Sequence, residues 1–549
     1  MGLWAKNLLF ATVVLTGLGG MAYVVRPGYR PGRPEQLPAV HFTPSEVQAT
    51  VEGLNAALRQ SWQTAGVAPA PRAEDLAIAR RISLALTGTI PSLEEIRKFE
   101  AYPGEGRLAW WTSHLLADRR SADYLAERFT RAYVGVVDGP FLLFRRRRFR
   151  IWLADELYAN RPYDQLVRDL IATDGVWTDR PAANFITATI NPDDENNKPN
   201  VNALAGRVTR AFLGIRLDCA ECHDHPFAAW KQRDFQGLAA FFAQTENALF
   251  RGESKPFQGI REGSGELEAE DYATGEKHVI APAAPFQPEL LPSAPEHRRA
   301  RLAAWVTHPE NKAFARATVN RIWALLYGRA LVEPVDDIPL DDVPAALDVL
   351  ADDFSAHGYD LRRLIGAIVL SESFARDSAA DDEGASERQE QTFAAFPLTR
   401  LRPEQVIGAV WQAARLSTVD DDSHILVQLT HYGETNDFIT RYGDAGEDEF
   451  EPQSGTIPQR LLMMNGDLVH GKIEQNPLAN AATQLAWLAP DDQSAVEGAY
   501  LAVLTRRPTR EEADHFIARL RDSHGDDRAR RVEDLYWTLL NSTEFSWNH

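Results

Sequence analysis

Cysteine is nearly absent from this sequence of 549 residues, which contains Cys219 and Cys222 and no other cysteine. Two cysteines exclude a disulfide-rich secreted scaffold, a zinc protein with several cysteine ligands and a four-cysteine iron–sulfur protein. Positive charge is also in short supply, because 58 Lys and Arg face 78 Asp and Glu and leave a net charge of −20. So acidic a chain repels phosphate backbones, and we expect no nucleic-acid partner.

The common catalytic motifs are missing as well. The sequence contains no G-x-S-x-G, no H-E-x-x-H and no P-loop pattern. Its carboxylates are too numerous to nominate a catalytic pair, so the sequence leaves open whether the protein is an enzyme. Apolar residues make up 44% of the chain, which is enough for a large core and excludes global disorder.

One long apolar run is present, Leu8–Val25, preceded by Lys6. About 18 residues is close to the minimum that spans a bilayer. We predict that residues 1–25 form an uncleaved signal anchor, because the run continues past the weak cleavage site at Ala22. The alternative is a secretory signal peptide that is cut after Ala22.

The segment after this run is a linker in our interpretation. Residues 26–45 are rich in Pro, Gly and Arg, a composition typical of an extended connection. Its arginines oppose export of the C-terminal part of the chain under the positive-inside rule, whereas the motif at Cys219 and Cys222 favours export. We therefore expect residues 46–549 to lie in the periplasm or outside the cell, with the membrane contacted through residues 8–25.

Helical periodicity dominates the rest of the sequence and predicts a mostly α fold. Two capping boxes mark helix starts, Ser92 with Glu95 and Thr509 with Glu512. The segment 246–295 is irregular, with a β-like patch at residues 278–280 that suggests a hairpin. We predict two helical lobes with little β-structure, one over residues 46–245 and one over residues 296–549.

The motif with the clearest chemistry is Cys219-Ala220-Glu221-Cys222-His223, which has the C-x-x-C-H spacing of covalent c-type haem attachment. Two thiols at this spacing add across the two vinyl groups of one haem, and the adjacent imidazole ligates the iron. The motif uses the only cysteines of the chain, which makes a chance match rare. We predict that Cys219 and Cys222 bind haem c and that His223 is the iron ligand.

Other interpretations of the same residues stay open. In one alternative, Cys219 and Cys222 form a disulfide in an oxidising compartment and bind no cofactor. Together with His225 they also match the C-x2-C-x2-H spacing of a metal site that takes a distant fourth ligand. A thioredoxin-like C-x-x-C requires a preceding strand and a parallel sheet, and the sequence indicates neither.

A haem iron also takes a sixth ligand or keeps an open position. Methionine is scarce, and after Met1 and Met21 only Met463 and Met464 remain. We favour packing of this pair on a helix face over iron ligation. The arginine run at residues 145–150 offers cations to haem propionates or anionic glycans, but a solvated helix face with ion pairs is the interpretation that we favour.

Several longer motifs resemble the DUF1549 domain, also called PSCyt2, a family of planctomycetes and related bacteria. The matching segments are Arg80–Gly88, Arg161–Val167, Thr209–Gly214, Cys219–Phe227 and Gly237–Phe242. Downstream segments resemble its partner domain DUF1553, also called PSD1. These are Arg298–Trp305, Val319–Trp323, Gly328–Asp337 and the ending from Leu540 to His549.

The resemblance implies an architecture more than an activity. The family is named for its association with cytochromes, and its members have the features of exported proteins. Many members carry a further N-terminal cytochrome c module with its own C-x-x-C-H, and in this sequence the apolar run stands at that place. We therefore expect a membrane-anchored, cytochrome-like protein of the cell envelope that takes part in electron transfer or other redox chemistry with a redox partner. The alternative is a haem-free envelope protein that binds a partner or a polysaccharide.

Overall fold

The computed structural model of the protein describes most of the chain after residue 43. The described residues are 44–103, 106–136, 144–191, 198–226, 228–247, 259–270, 277–293, 297–378, 383–420 and 480–549, with a few single positions between 423 and 474. The run Leu8–Val25 and the pair Met463 and Met464 lie outside them. The signal anchor, with the cleaved signal peptide as its alternative, and the packing of the methionine pair on a helix face therefore stay predictions. Among the helices that the structure describes, none is long and apolar enough to cross a bilayer.

The fold is mostly helical, at 61% helix, as the periodicity predicted. The α-helices are α1 Pro44–Ala65, α2 Asp75–Thr87, α3 Leu93–Ala101, α4 Arg107–Ala117, α5 Arg119–Val134, α6 Arg146–Tyr158, α7 Tyr163–Ala172, α8 Asn184–Thr187, α9 Val201–Val208, α10 Gln232–Ala239, α11 Arg298–Val306, α12 Lys312–Tyr327, α13 Ala345–Ala356, α14 Leu361–Val369, α15 Glu383–Gln391, α16 Pro403–Ala413, α17 Ala481–Leu488, α18 Asp492–Leu504, α19 Arg510–Leu520 and α20 Gly525–Leu540.

Local sequence signals set several helix ends. Both predicted capping boxes are confirmed, at the starts of α3 and α19. In each, the hydroxyl of the cap residue accepts from the backbone N–H of the glutamate, and the glutamate carboxylate accepts from the backbone N–H of the cap. Helix α2 ends at Gly88, whose φ of 67° suits a residue without a Cβ. Helices α4 and α5 are separated by Asp118, whose side chain accepts from the backbone N–H of Arg120 and starts α5.

The strands are short and form three antiparallel pairs in the described part of the chain. They are β1 Thr245–Asn247 with β2 Ile260–Glu262, β3 Leu267–Glu270 with β4 Lys277–Ile280, and β5 Thr399–Arg400 with β6 Trp547–Asn548. The hairpin expected near residues 278–280 is the β3–β4 pair. The third pair ties the segment before α16 to the last residues of the sequence.

Buried apolar side chains form two clusters. The first core contains residues from Val47 to Phe396, together with Leu501. The second core contains Leu84, Ile90 and residues between Leu401 and Phe545. Helix α1 packs against α13 and helix α7 against α11, so the first core takes helices from widely separated parts of the sequence.

The two lobes over residues 46–245 and 296–549 stay a prediction, but residues on both sides of the segment 246–295 bury side chains in common. Helices before and after that segment share the first core, and Arg321 of α12 donates to the carbonyl of Ala211 at 2.6 Å. The two cores divide near residue 400, and the described residues from Pro44 onward belong to one compact unit. Helices before and after the irregular connection bury apolar faces against each other, as α1 does against α13 and α7 against α11.

A buried ion cluster joins the two cores. Glu404, at the start of α16, accepts from Arg128 at 2.9 Å and from Arg131 at 3.5 Å, both on α5. Both arginine side chains are fully buried. Burial opposes ionisation of Glu404, but the charges of Arg131, Arg128 and Arg402 outweigh it and lower its pKa to about 2.

Candidate functional site

The cysteine motif lies on a short turn that comes after a continuous helical stretch. Helix α9 runs into a π-helical turn at Thr209–Leu213, and Gly214 ends this turn with a φ of 61°. A 3-10 helix at Asp218–Glu221 then carries Cys219, and Cys222 comes directly after it. Leu217 and Ala220 are fully buried, so these two apolar side chains anchor the turn and leave the polar residues of the motif at the surface.

Side chains from both neighbouring helices hold this cysteine turn, residues 218–223. From the N-terminal side, Arg210 donates to Asp218 at 2.6 Å and Asn202 donates to Glu221 at 2.9 Å. From the C-terminal side, Gln232 of α10 donates from Nε2 to the carbonyl oxygens of Glu221 and Cys222, each at 3.1 Å. The turn is therefore fixed by specific hydrogen bonds although it is exposed.

His223 is exposed, and its Nδ1 lies 2.7 Å from the carbonyl oxygen of Asp224. A carbonyl oxygen only accepts, so Nδ1 carries the proton in this contact. In the neutral imidazole the lone pair then resides on Nε2. A hydrogen bond from one ring nitrogen to a carbonyl is the usual way in which proteins orient a histidine that ligates a metal through the other nitrogen.

The residues after His223 are engaged within the loop. The Nδ1 of His225 accepts from the backbone N–H of Ala228 at 2.9 Å. Asp224 accepts from the backbone of Gln232 at 3.1 Å and pairs with Lys231 at 3.1 Å. The Gln232 hydrogen bond, and after it that of Lys231, holds the pKa of Asp224 below its usual value. The segment after His223 is therefore held by hydrogen bonds between its own residues and the start of α10.

Both cysteines are exposed and unpaired. The predicted disulfide stays a prediction, since two free thiols at this spacing are its reduced form. The predicted metal site has less support. No group of three or more His, Cys, Asp or Glu side chains among the described residues is arranged to hold a metal ion. The spacing of Cys219, Cys222 and His225 is typical of a metal site, but the described residues do not bring them together with a further ligand.

The donor set fits covalent attachment of a c-type haem. Two accessible thiols stand at the required spacing, and the adjacent imidazole has its Nδ1 proton bound by a carbonyl. The surroundings supply less, because neither of two cavities in the described residues is lined by any residue of the motif.

The arginine run lies on α6 and faces α5. Arg146 pairs with Glu127 at 2.7 Å, and Arg150 lies 3.6 Å from the same carboxylate. The charges of Arg146 and Arg131 overcome the effect of burial and lower the pKa of Glu127. Arg148 donates to the carbonyl of Thr178 at 3.2 Å. These contacts agree with the favoured interpretation of an ion-paired helix face, with a partner on a neighbouring helix that the sequence did not indicate.

Models of two known protein families match this chain, one in each half. A model of PSCyt2, described as a protein of unknown function (DUF1549), matches residues 53–247. A model of PSD1, described as a protein of unknown function (DUF1553), matches residues 298–520. This chain belongs to the DUF1549 and DUF1553 families. No curated protein and no solved structure matches it.

The family match places the cysteine turn within the DUF1549 region and α12 to α19 within the DUF1553 region. In this DUF1549–DUF1553 chain both regions contribute side chains to the first core, so the cysteine turn lies on a core that the two regions form together. Sequence analysis missed Asn202, Arg210 and Gln232 as positioning residues. Each lies 8 to 19 residues from its partner, and no periodic pattern signals such contacts.

Proposed function

We propose that this protein is an exported, membrane-anchored cytochrome-like protein of the cell envelope. Residues 8–25 anchor it, and Cys219, Cys222 and His223 carry a c-type haem that exchanges electrons with a redox partner. The observation that carries the proposal is the exposure of both thiols on one turn beside an imidazole whose Nδ1 is held by a carbonyl. A bound haem supplies one-electron redox chemistry, which the side chains of this turn do not supply themselves.

The residues of the chain have separate roles in this proposal. Cys219 and Cys222 provide the attachment atoms, and their exposure keeps them accessible. The Asp224 carbonyl fixes the His223 tautomer and increases the basicity of Nε2. Gln232 and Asn202 hold the turn in register. Exposure of the site favours contact with a partner, because electron transfer between proteins requires the two centres to approach closely.

A haem-free envelope protein is the second candidate, and one observation favours it. Two cavities among the described residues do not border the motif, whereas haem sites are usually lined by apolar side chains. In this candidate, Cys219 and Cys222 form a disulfide after export. A loop this short constrains the unfolded chain little, so the bond contributes about 2 kcal/mol or less.

The deciding experiment is a pyridine haemochrome spectrum of denatured protein that was expressed with c-type haem maturation and export. We expect a haem c spectrum and one iron per chain for the wild type, and neither for the C219S/C222S variant. The H223A variant should show an altered spectrum or fail to mature. H225A serves as the matched control for the imidazole, and it should keep the wild-type spectrum.

The haem proposal is overturned if exported wild-type protein contains no iron and no Soret band. Free thiols that appear only after reduction would then identify the disulfide form. A zinc or other metal content lost in both C219S/C222S and H225A, with H223A unchanged, would identify the metal site instead.

The proposed location has its own test. A reporter that fluoresces only in the cytoplasm, fused after residue 549, should stay dark, because residues 46–549 are exported in the proposal. Bright fluorescence would contradict the proposed export. It would also show that the cysteine motif does not reach the compartment in which c-type haem is attached.

A further inference from the structure

A second site candidate lies away from the cysteine turn. It is a groove of about 450 Å³ between the second half of α1, Leu331, the start of α13 and the segment 391–393. This volume lies within the range of about 300–1,000 Å³ that small-molecule sites occupy. The side chains that line the groove are Ala57, Leu58, Gln60, Ser61, Thr64, Ala65, Leu331, Pro344, Ala345, Ala346, Gln391, Thr392 and Phe393.

The lining of this groove is uncharged. Not one of its side chains is ionisable, in a protein whose net charge is −20. The polar members are two amides and three hydroxyls, and the larger apolar members are Leu58, Leu331 and Phe393. The side chains of Gln60 and Ser61 make no hydrogen bond within the described residues, and the Gln391 amide donates to Glu387 at 3.3 Å.

The wall of the groove at residues 391–393 is held in place before any ligand arrives. Phe393 has a φ of 54°, a left-handed conformation that is costly for an aromatic residue. Two side chains hold the carbonyl groups at this point. Trp62 Nε1 donates to the Thr392 carbonyl at 2.9 Å, and Ser373 Oγ donates to the Phe393 carbonyl at 2.6 Å. Such a wall lowers the entropy that a ligand must overcome.

The Phe393 ring is also packed from within. It lies edge-on to Trp323 and to Tyr327, with ring centroids 5.1 Å apart in both pairs. Phe393 is 4% exposed, so it forms a rigid apolar floor beneath the groove, while the amides and hydroxyls of α1 and the 391–392 segment form polar sides.

We propose that this groove binds a neutral saccharide. A sugar ring presents apolar C–H faces together with hydroxyl groups that donate and accept hydrogen bonds, and the lining offers partners for both. An ionised ligand would find no counter-charge among these side chains, and the net negative charge of the protein disfavours polyanions. A purely apolar ligand would bury the amides without partners, which costs free energy for each unpaired group.

The inference stands apart from the haem proposal and has its own test. The full chain, purified in a detergent without a sugar headgroup, is titrated calorimetrically with short neutral oligosaccharides of glucose, mannose, xylose and galactose at millimolar concentration. Oligogalacturonate and 1-octanol serve as the charged and the apolar comparison ligands. We expect binding of at least one neutral saccharide and weaker or no binding of the two comparison ligands.

Matched variants locate the binding. Gln60→Ala should weaken it about fivefold, the effect of one lost hydrogen bond, and Thr64→Trp should abolish it by filling the groove. Gln63→Ala changes the same residue type on the same helix outside the groove and should have no effect. The proposal is overturned if no neutral saccharide binds, if oligogalacturonate or octanol binds more tightly, or if Gln63→Ala weakens binding as much as Gln60→Ala.

Discussion

The side-chain amide of Gln232 donates a hydrogen bond of 3.1 Å to the carbonyl oxygen of Cys222. The first residue of α10 therefore holds the end of the turn that carries both cysteines. The same amide also reaches the carbonyl of Glu221, so a single side chain closes the turn. The conformation of the motif thus depends on a residue outside it.

Gln232→Ala should loosen the cysteine turn without unfolding the protein. Two exposed carbonyls lose their donor but gain water, so the free energy of unfolding should fall by at most about 1 kcal/mol. Hydrogen–deuterium exchange should increase in peptides that cover residues 219–223. Gln236→Ala, one turn further along α10, is the control and should leave exchange there unchanged. Equal exchange in the two variants would contradict the role of Gln232.

Gly206→Ala should displace Asp218, the first residue of the cysteine turn. A Cβ at position 206 would lie 2.4 Å from Oδ1 of Asp218, which pairs with Arg210. Overpacking of this kind typically costs about 1–3 kcal/mol, and chemical denaturation should show it. Gly53→Ala is the control, because its Cβ would meet the side chain of Val349 at an ordinary 3.4 Å. A Gly206→Ala protein as stable as the control would show that Asp218 moves freely.

Glu404 should govern part of the acid sensitivity of the fold. Its pKa is lowered from 4.5 to about 2, so its stabilisation is complete above pH 4.5 and is lost as the pH falls towards 2. Glu404→Gln should destabilise the protein by about 3–5 kcal/mol near neutral pH, because it leaves buried guanidinium groups without a carboxylate. The stability of this variant should also change less between pH 5 and pH 3 than that of the wild type, because glutamine does not take up the proton that the Glu404 carboxylate takes up on unfolding.

A surface pair provides the control for that experiment. Glu94 and Lys98 lie 2.7 Å apart and are both about half exposed. Glu94→Gln should cost less than about 1 kcal/mol and should keep the acid profile of the wild type. Urea denaturation at several pH values measures both variants. If the two variants lose the same stability, the buried cluster does not hold the cores together.

The two capping boxes should differ in strength. Ser92 is 1% exposed, and its Oγ bonds both the backbone of Glu95 and the hydroxyl of Thr418, each at 3.0 Å. Thr509 is exposed and bonds the backbone of Glu512 at 3.3 Å. We expect Ser92→Ala to cost about 1–2 kcal/mol and Thr509→Ala about 0.5–1 kcal/mol, measured by chemical denaturation. The reverse order would show that burial of the first cap adds nothing.

Local features of the fold were predictable because their causes are local. The side chains of Ser92 and Glu95 each accept a hydrogen bond from the backbone N–H of the other residue, within four residues of the chain. Gly88 ends α2 because a glycine, which has no Cβ, adopts a positive φ without steric strain. The hairpin at residues 277–280 was indicated by a short β-like patch. Boundaries were less certain, since Asp118 interrupts a continuous apolar pattern that favours one long helix.

The pairing of helices from distant parts of the sequence was not predictable in the same way. The irregular composition of residues 246–295 indicates a connection, but it does not tell which helices the connection brings together. That outcome depends on the match between apolar faces such as those of α1 and α13. The Glu404 cluster shows the same limit, because Arg128 and Arg131 are more than 270 residues away from Glu404 in the sequence.

The sequence by itself determined that the chain is mostly helical, that it combines two recognisable domain types, and that its two cysteines stand three residues apart beside a histidine. The helical content and the cysteine spacing arise from periodicity, capping and covalent spacing, which act over a few residues. The two domain types are implied by the resemblance to known families. Only the tertiary structure decided that the cysteine turn is exposed, that Asn202, Arg210 and Gln232 hold it, and that an uncharged groove forms beside Phe393. These depend on contacts between distant segments, whose pairing is fixed by the shape and charge of complete packed surfaces.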